Sequence, residues 1–286
     1  MVGNATRQKR AELRLFIGRV LAHESTVEGV VGIGSIANGS ARPDSDIDAI
    51  VFFDPLDHYI VPAEAIWRPS DDSFHSIFSD VDGIQLDLAR LDLKEWSDPA
   101  FDWPEGRCAE MADGWLAHDR DGRLAALITE RTTYSDAMRL ARLDEAIVWL
   151  DGHLGGDGPQ SRWASLDPLV AHDRLQAAYT YLVEALFAVN RSWRPWRNRE
   201  MSALLALPWL PENFVDRVFE AANASSLDYA GYLRRVQVLR GLFGDLCQFL
   251  IDEGDYGDDI LGEAFIRSHE EPGRAWNITE WNARRQ

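Results

Sequence analysis

The stretch "GSIANGSARPDSDID" (residues 34–48) runs out of one apolar segment, "VEGVVGIG" (27–34), and into another, "IDAIVFF" (47–53). Both segments are short and rich in β-branched or aromatic residues. The first is closed by Gly34 and the second by the turn-like "DPLD" (54–57), so both read as buried strands. Asp46 and Asp48 flank Ile47 at the entry to the second strand, where a period of two puts both carboxylates on one face. Like charges that close repel, and burying either one is costly. A divalent cation such as magnesium, which takes hard oxygen ligands from a few carboxylates plus substrate phosphates, would offset that cost. Gly34 lets backbone approach a ligand closely, and Ser35 with the following amides can donate to phosphate oxygens, so the loop reads as a nucleoside triphosphate cradle. The competing reading is a solvated turn whose acids merely cap it, since Gly, Ser and Asp dominate turns.

Around this loop the pattern is mixed and then helical. Residues 5–23 space apolar side chains among charges as an amphipathic helix does. "GIQLDLARL" (83–91) alternates, with Ile84, Leu86 and Leu88 on one face and Gln85 and Asp87 on the other, as a half-buried strand. "DGWLAHDRDGRLAALITERT" (113–132) reads as strand, turn and helix. Beyond it, helices are expected over 135–154, with Ser135 or Asp136 as cap, and over 169–190 and 227–254, with a Gly- and Pro-bearing break at 155–168. The expectation is therefore an α+β chain: a mixed sheet with helices over 1–132, then an all-α substrate-binding domain over 133–286, with a cleft between them.

The balance of 47 acidic against 29 basic residues, net −18, disfavours broad contact with a polyanion, so no nucleic-acid partner is expected. A cationic or neutral small substrate suits it better, although solubility alone accounts for it equally well. No apolar run is long enough to span a bilayer and the N-terminal residues lack a secretory pattern, so no membrane contact and a cytoplasmic location are expected. Cys108 and Cys247 are too few for a disulfide framework or a four-ligand zinc site. The sequence leaves the oligomeric state open.

The loop resembles the signature of the polymerase β-like nucleotidyltransferase superfamily. Its form, Gly-Ser-x-Ala-x-Gly, five residues, Ser-Asp-x-Asp, is similar to that of small nucleotidyltransferases and of aminoglycoside and lincosamide adenylyltransferases. Gly34, Ser35, Ala37, Gly39, Ser45, Asp46 and Asp48 fill the pattern. Such set spacing between two strands is far more specific than a lone glycine-rich loop. The resemblance implies Asp46 and Asp48 as ligands of two magnesium ions, Gly34, Ser35 and Ser45 on the phosphates, and a third acid at Asp87 that binds one metal or accepts the acceptor's proton. It further implies transfer of a nucleoside monophosphate, AMP from ATP, to a hydroxyl of a small acceptor, with an aminoglycoside- or lincosamide-like antibiotic as one candidate. The alternatives are modification of a protein side chain, as antitoxin-type enzymes do, and nucleotide binding without catalysis.

Other candidates carry bland readings beside functional ones. Asp87 could be a solvent-facing strand acid, in which case Asp80, Asp82 or Asp92 takes its place. In "NRSWRPWRNRE" (190–200), Arg194, Arg197 and Arg199 could reach a triphosphate and Trp193 or Trp196 could stack on a ring. Equally, the cluster could be cations at a helix C-terminus with packed tryptophans. Glu184, amid apolar residues, is either a buried acceptor-side base or a surface acid. His172 has no ligand spacing and reads as an ordinary polar residue.

Overall fold

Helix α1 (Asn4–Phe16) continues through one π-type turn at Ile17–Leu21, and Leu13, Phe16 and Leu21 on one side of it are fully buried. The structure is a computed structural model and describes residues 3–155, 158–223 and 227–269. Two compact units are distinguished, Met1–Thr133 and Tyr134–Gln286. The fold is α+β.

In the first unit β1 (Val27–Gly32), α2 (Gly34–Asn38), β2 (Ile47–Phe53), β3 (Glu64–Arg68), β4 (Ser73–His75) and β5 (Ile84–Asp92) precede α3 (Leu93–Trp96) and α4 (Glu105–Ala112). The unit closes with β6 (Trp115–Asp119) and α5 (Arg123–Thr132). The strands form one mixed sheet in the order β4-β3-β5-β2-β1-β6. The β2–β5 pair is parallel and the others are antiparallel. Strand β2 is central and covered on both faces, the arrangement that favours an almost uninterrupted apolar run. On one face Ile47, Ala49, Val51 and Phe53 share a core with Leu13, Phe16 and Trp67, and the rings of Phe16 and Trp67 meet edge-on at 5.1 Å. On the other, Phe52 meets Trp96 at 6.4 Å, and Trp103 Nε1 donates to the Trp96 carbonyl at 2.9 Å.

The second unit is helical: α6 (Asp136–Leu154), α7 (Pro159–Ser165), α8 (Pro168–Val189), α9 (Arg197–Leu204), α10 (Phe214–Ala222), α11 (Tyr229–Asp252) and α12 (Ile260–Ser268). Ser135, Asp167 and Asp228 cap α6, α8 and α11 by accepting from backbone amides of the first turn, which satisfies donors that a helix start leaves orphaned. The core of this unit sets Leu143, Ile147 and Leu150 of α6 against Leu182 and Leu186 of α8 and Leu239 and Leu246 of α11. Asp144, 2% exposed, accepts from Tyr256 at 2.8 Å and from two nitrogens of Arg267 at 2.9 and 3.1 Å, which ties α12 to α6. The expected break at 155–168 is in part helical, because Pro159 suits the first turn of a helix and α7 starts there. Among the described residues no helix is long and apolar enough to cross a membrane.

Candidate active site

Strand β1 ends at Gly32, and the Ile33 amide still donates to the Asp48 carbonyl at 3.0 Å, so the loop that begins at Gly34 leaves the sheet beside the start of β2. Gly34 has φ +62° and Gly39 φ +87°, left-handed values that glycine adopts without steric cost. Arg10 of α1 clamps the short turn between them, its Nε donating to the Ile36 carbonyl and its Nη2 to the Ala37 carbonyl, both at 2.8 Å. The hydroxyl of Ser35 is buried and, among the described residues, has no hydrogen-bond partner. A buried hydroxyl left that way is costly, and an oxygen-rich ligand at the loop would satisfy it. Ser45 is occupied locally: its Oγ accepts from the Arg42 amide at 3.0 Å and its own amide donates to the Arg42 carbonyl at 3.1 Å, fixing the bend before β2.

Ile47 is fully buried, while Asp46 and Asp48 on either side of it are partly exposed. The parallel register pairs Asp48 of β2 with Asp87 of β5, so their side chains leave the same face of adjacent strands, about 4.8 Å apart at the backbone. The register of β3 sets Glu64 opposite Asp87 on its other side. Asp48, Asp87 and Glu64 therefore form a row of carboxylates across three neighbouring strands, an arrangement in which like charges destabilise a sheet unless something neutralises them. Of the alternatives to Asp87, Asp80 and Asp82 are exposed in the connection before β5. Asp92 lies at the opposite end of β5, where its Oδ1 accepts from the Lys94 and Glu95 amides and caps α3. Among the described residues no three His, Cys, Asp or Glu side chains close on one point as a preformed metal cage. Magnesium bound together with a nucleotide needs no such cage, since it keeps several waters and takes one or two carboxylates plus phosphate oxygens. The donor set, hard oxygens beside an unsatisfied hydroxyl, fits that group.

Residues 13–91, which contain β1 to β5 but for the last residue of β5, match the family model for the nucleotidyltransferase domain. The chain contains a nucleotidyltransferase domain. No curated protein matches the chain. The solved structure of a nucleotidyltransferase-like protein from Exiguobacterium sibiricum 255-15 aligns with 12% identity over 95% of this chain and 83% of its own, with a TM-score of 0.45.

The remaining sequence candidates lie outside the matched nucleotidyltransferase domain, in the second unit. Arg194 Nε donates to Glu200 Oε2 at 2.5 Å and its Nη1 to Glu184 Oε1 at 3.1 Å, while Arg197 pairs with the other oxygen of Glu200. Glu200 is 4% exposed, so two guanidiniums neutralise a buried carboxylate that the sequence reading did not single out. A phosphate on Arg194 would compete with Glu184 and Glu200 for its donors. Glu184 is about one-third exposed and engaged with Arg194. These arginines fall in the connection after α8 and the first turn of α9 rather than at the C-terminus of α8. Trp193 packs edge-on against Tyr134 at 5.0 Å, with the Arg142 guanidinium over both rings.

Sequence reasoning also missed Arg10 and Glu64. Arg10 is one of several basic residues on α1, and nothing in the spacing marks it as the clamp. Glu64 sits in a five-residue strand preceded by Pro62, too short and interrupted to announce itself.

Proposed function

We propose that the nucleotidyltransferase domain transfers a nucleoside monophosphate, AMP from ATP, to a hydroxyl of a small acceptor in a magnesium-dependent reaction. The observation that carries this reading is the β2–β5 register, which pairs Asp48 with Asp87 at the end of the sheet where the Gly34–Ser35 loop departs. Asp46 and Asp48 would hold one or two magnesium ions, whose charge neutralises the triphosphate. The Ser35 hydroxyl and the loop amides bind phosphate oxygens. The acceptor oxygen bonds to the α-phosphorus as the bond from that phosphorus to the α,β-bridging oxygen breaks, and pyrophosphate leaves with the electron pair. Asp87 takes the acceptor's proton. It is well suited to this because its strand fixes it beside Asp48 while its side chain is exposed.

The test is pyrophosphate release from each of the four NTPs with magnesium, against aminoglycosides, lincosamides and related hydroxyl-bearing amines. Release with one NTP and one acceptor class is the expected result. Asp46→Asn is expected to lower it by on the order of 10²–10³. Its melting temperature should stay within a few degrees of the parent, because Asp46 packs no core. Unchanged release in that variant, or silence across the panel, would overturn the proposal.

A further inference from the structure

Within the second unit, α8, α9, α10 and α11 enclose a pocket of about 430 Å³ whose surface is overwhelmingly apolar. Leu175, Leu239 and Phe214 line it and are themselves 4% exposed or less, whereas Leu205 and Phe219 at its mouth are 46% and 71% exposed. A concave apolar site of this size, open on one side and carrying few polar groups, is the usual form of a small-molecule site. Large apolar side chains left exposed around it mark a surface that something covers.

One charged residue lines the pocket, Arg235 of α11. Its Nε donates to the Ala221 carbonyl at 2.6 Å and its Nη1 meets His172 Nδ1 at 2.8 Å. Neither partner carries a negative charge there: burial and the neighbouring guanidinium both hold the His172 pKa below its ordinary value. Among the described residues no carboxylate pairs with Arg235, and its Nη2 has no partner. Burial alone shifts its pKa, downward, with no acid acting against it. In a chain of net charge −18, a partly buried guanidinium left without a carboxylate is a costly arrangement unless an anion completes it. The other polar residues of the lining, Gln176 and Tyr179, are neutral.

We propose that this pocket binds a small amphiphilic anion, a carboxylate on an alkyl or aryl body, with the apolar body among Leu175, Phe214 and Leu239 and the carboxylate on Arg235. The proposal stands whether or not the sheet end transfers nucleotide, because it uses none of the same residues.

The test is calorimetric titration of the full chain with decanoate, 1-decanol and decylamine, three probes with one apolar body and different heads. The overall charge of the protein favours the amine, so a preference for the anion is diagnostic. Decanoate is expected to bind at least tenfold more tightly than decanol, and decylamine more weakly than either. Arg235→Met should abolish the tenfold preference while decanol still binds, and Leu205→Trp at the mouth should weaken all three. The comparison among the three heads on the unaltered chain decides the matter even if Arg235→Met fails to fold. Equal affinity for decanoate and decanol would overturn the role of Arg235. Failure of all three probes would overturn the pocket as a ligand site, as would self-association of the chain that Phe219→Asp abolishes.

Discussion

Two residues show how a local conformation or charge is made tolerable by its surroundings. Gly34 holds φ +62°, where a Cβ would meet backbone oxygen, so Gly34→Ala should cost about 1–2 kcal/mol. That corresponds to roughly 2–8 °C in melting temperature. If the loop cradles phosphate, the loss of activity in Gly34→Ala, measured at a temperature where the variant is fully folded, should exceed what the stability change explains. Activity unchanged alongside lowered stability would give Gly34 a folding role alone. Glu200 is the reverse case, a buried charge neutralised by neighbours. Arg194 is mostly buried and grips it directly, while Arg197 is 70% exposed and reaches it from the surface. Arg194→Met strands that carboxylate and should destabilise the chain by about 3 kcal/mol or more, whereas Arg197→Met should cost under about 1 kcal/mol. Denaturant melts of the two variants check the ordering. Equal costs would mean that the surface arginine carries half of the neutralisation.

At the scale of elements, α8 and α11 meet where His172, 5% exposed, contacts Arg235 and packs among Trp163 and Tyr232. Burial, then the Arg235 charge, lowers the His172 pKa, so the folded chain keeps it neutral where the unfolded chain protonates it. The unfolded state binds more protons below about pH 6.5, and the stability this group contributes is present above that pH and lost as pH falls through the folded value. His153 is lowered in the same sense by burial and Arg174. The melting temperature should therefore fall between pH 7.5 and 5.5, and His172→Gln should flatten the slope. An unaltered slope would assign the effect elsewhere. Elements of this kind were unequally legible in the sequence. The bounds of β2 could be read to the residue, because a doubly covered central strand is an unbroken apolar run between a loop and a turn. Long helices such as α8 and α11 announced themselves by periodicity, while their Asp167 and Asp228 caps came from the structure. Strands β3 and β4 did not, since "PAEAIWRPSDDSFH" (62–75) is punctuated by prolines and polar residues, as peripheral strands tolerate. At the candidate site, Asp46 and Asp48 stood out in the sequence because a spacing of two at a strand entry predicts a common face. The pairing of Asp48 with Asp87, 39 positions on, and of Asp87 with Glu64 depends on strand order, which no local pattern encodes. Arg235 was invisible for a similar reason: its want of a carboxylate is a fact about neighbours on three other helices.

For the molecule as a whole, each unit has its own buried cluster, one around Phe16, Val51 and Trp67 and the other around Ile147, Leu182 and Leu246. The six strands of the sheet, from β4 at one edge to β6 at the other, all lie within the first unit, and among the described residues no strand is borrowed from beyond Thr133. A domain of that length with a two-sided core buries enough apolar surface to fold alone. The short connection between α5 and α6 is a natural place to divide the chain. A fragment ending at Thr133 should therefore give a single cooperative denaturant transition, with an m-value smaller than that of the intact chain in proportion to the surface it exposes. On the proposed function it should also bind ATP with magnesium, because Gly34, Ser35, Asp46, Asp48 and Asp87 all lie within it, and it should lack the proposed decanoate site, whose residues all lie beyond it. Circular dichroism through the melt, with calorimetry for both ligands, measures all three. A gradual, uncooperative transition would show that the first core is insufficient by itself. A cooperative fragment that no longer binds ATP would move the nucleotide's principal contacts out of the nucleotidyltransferase domain and into the helical unit.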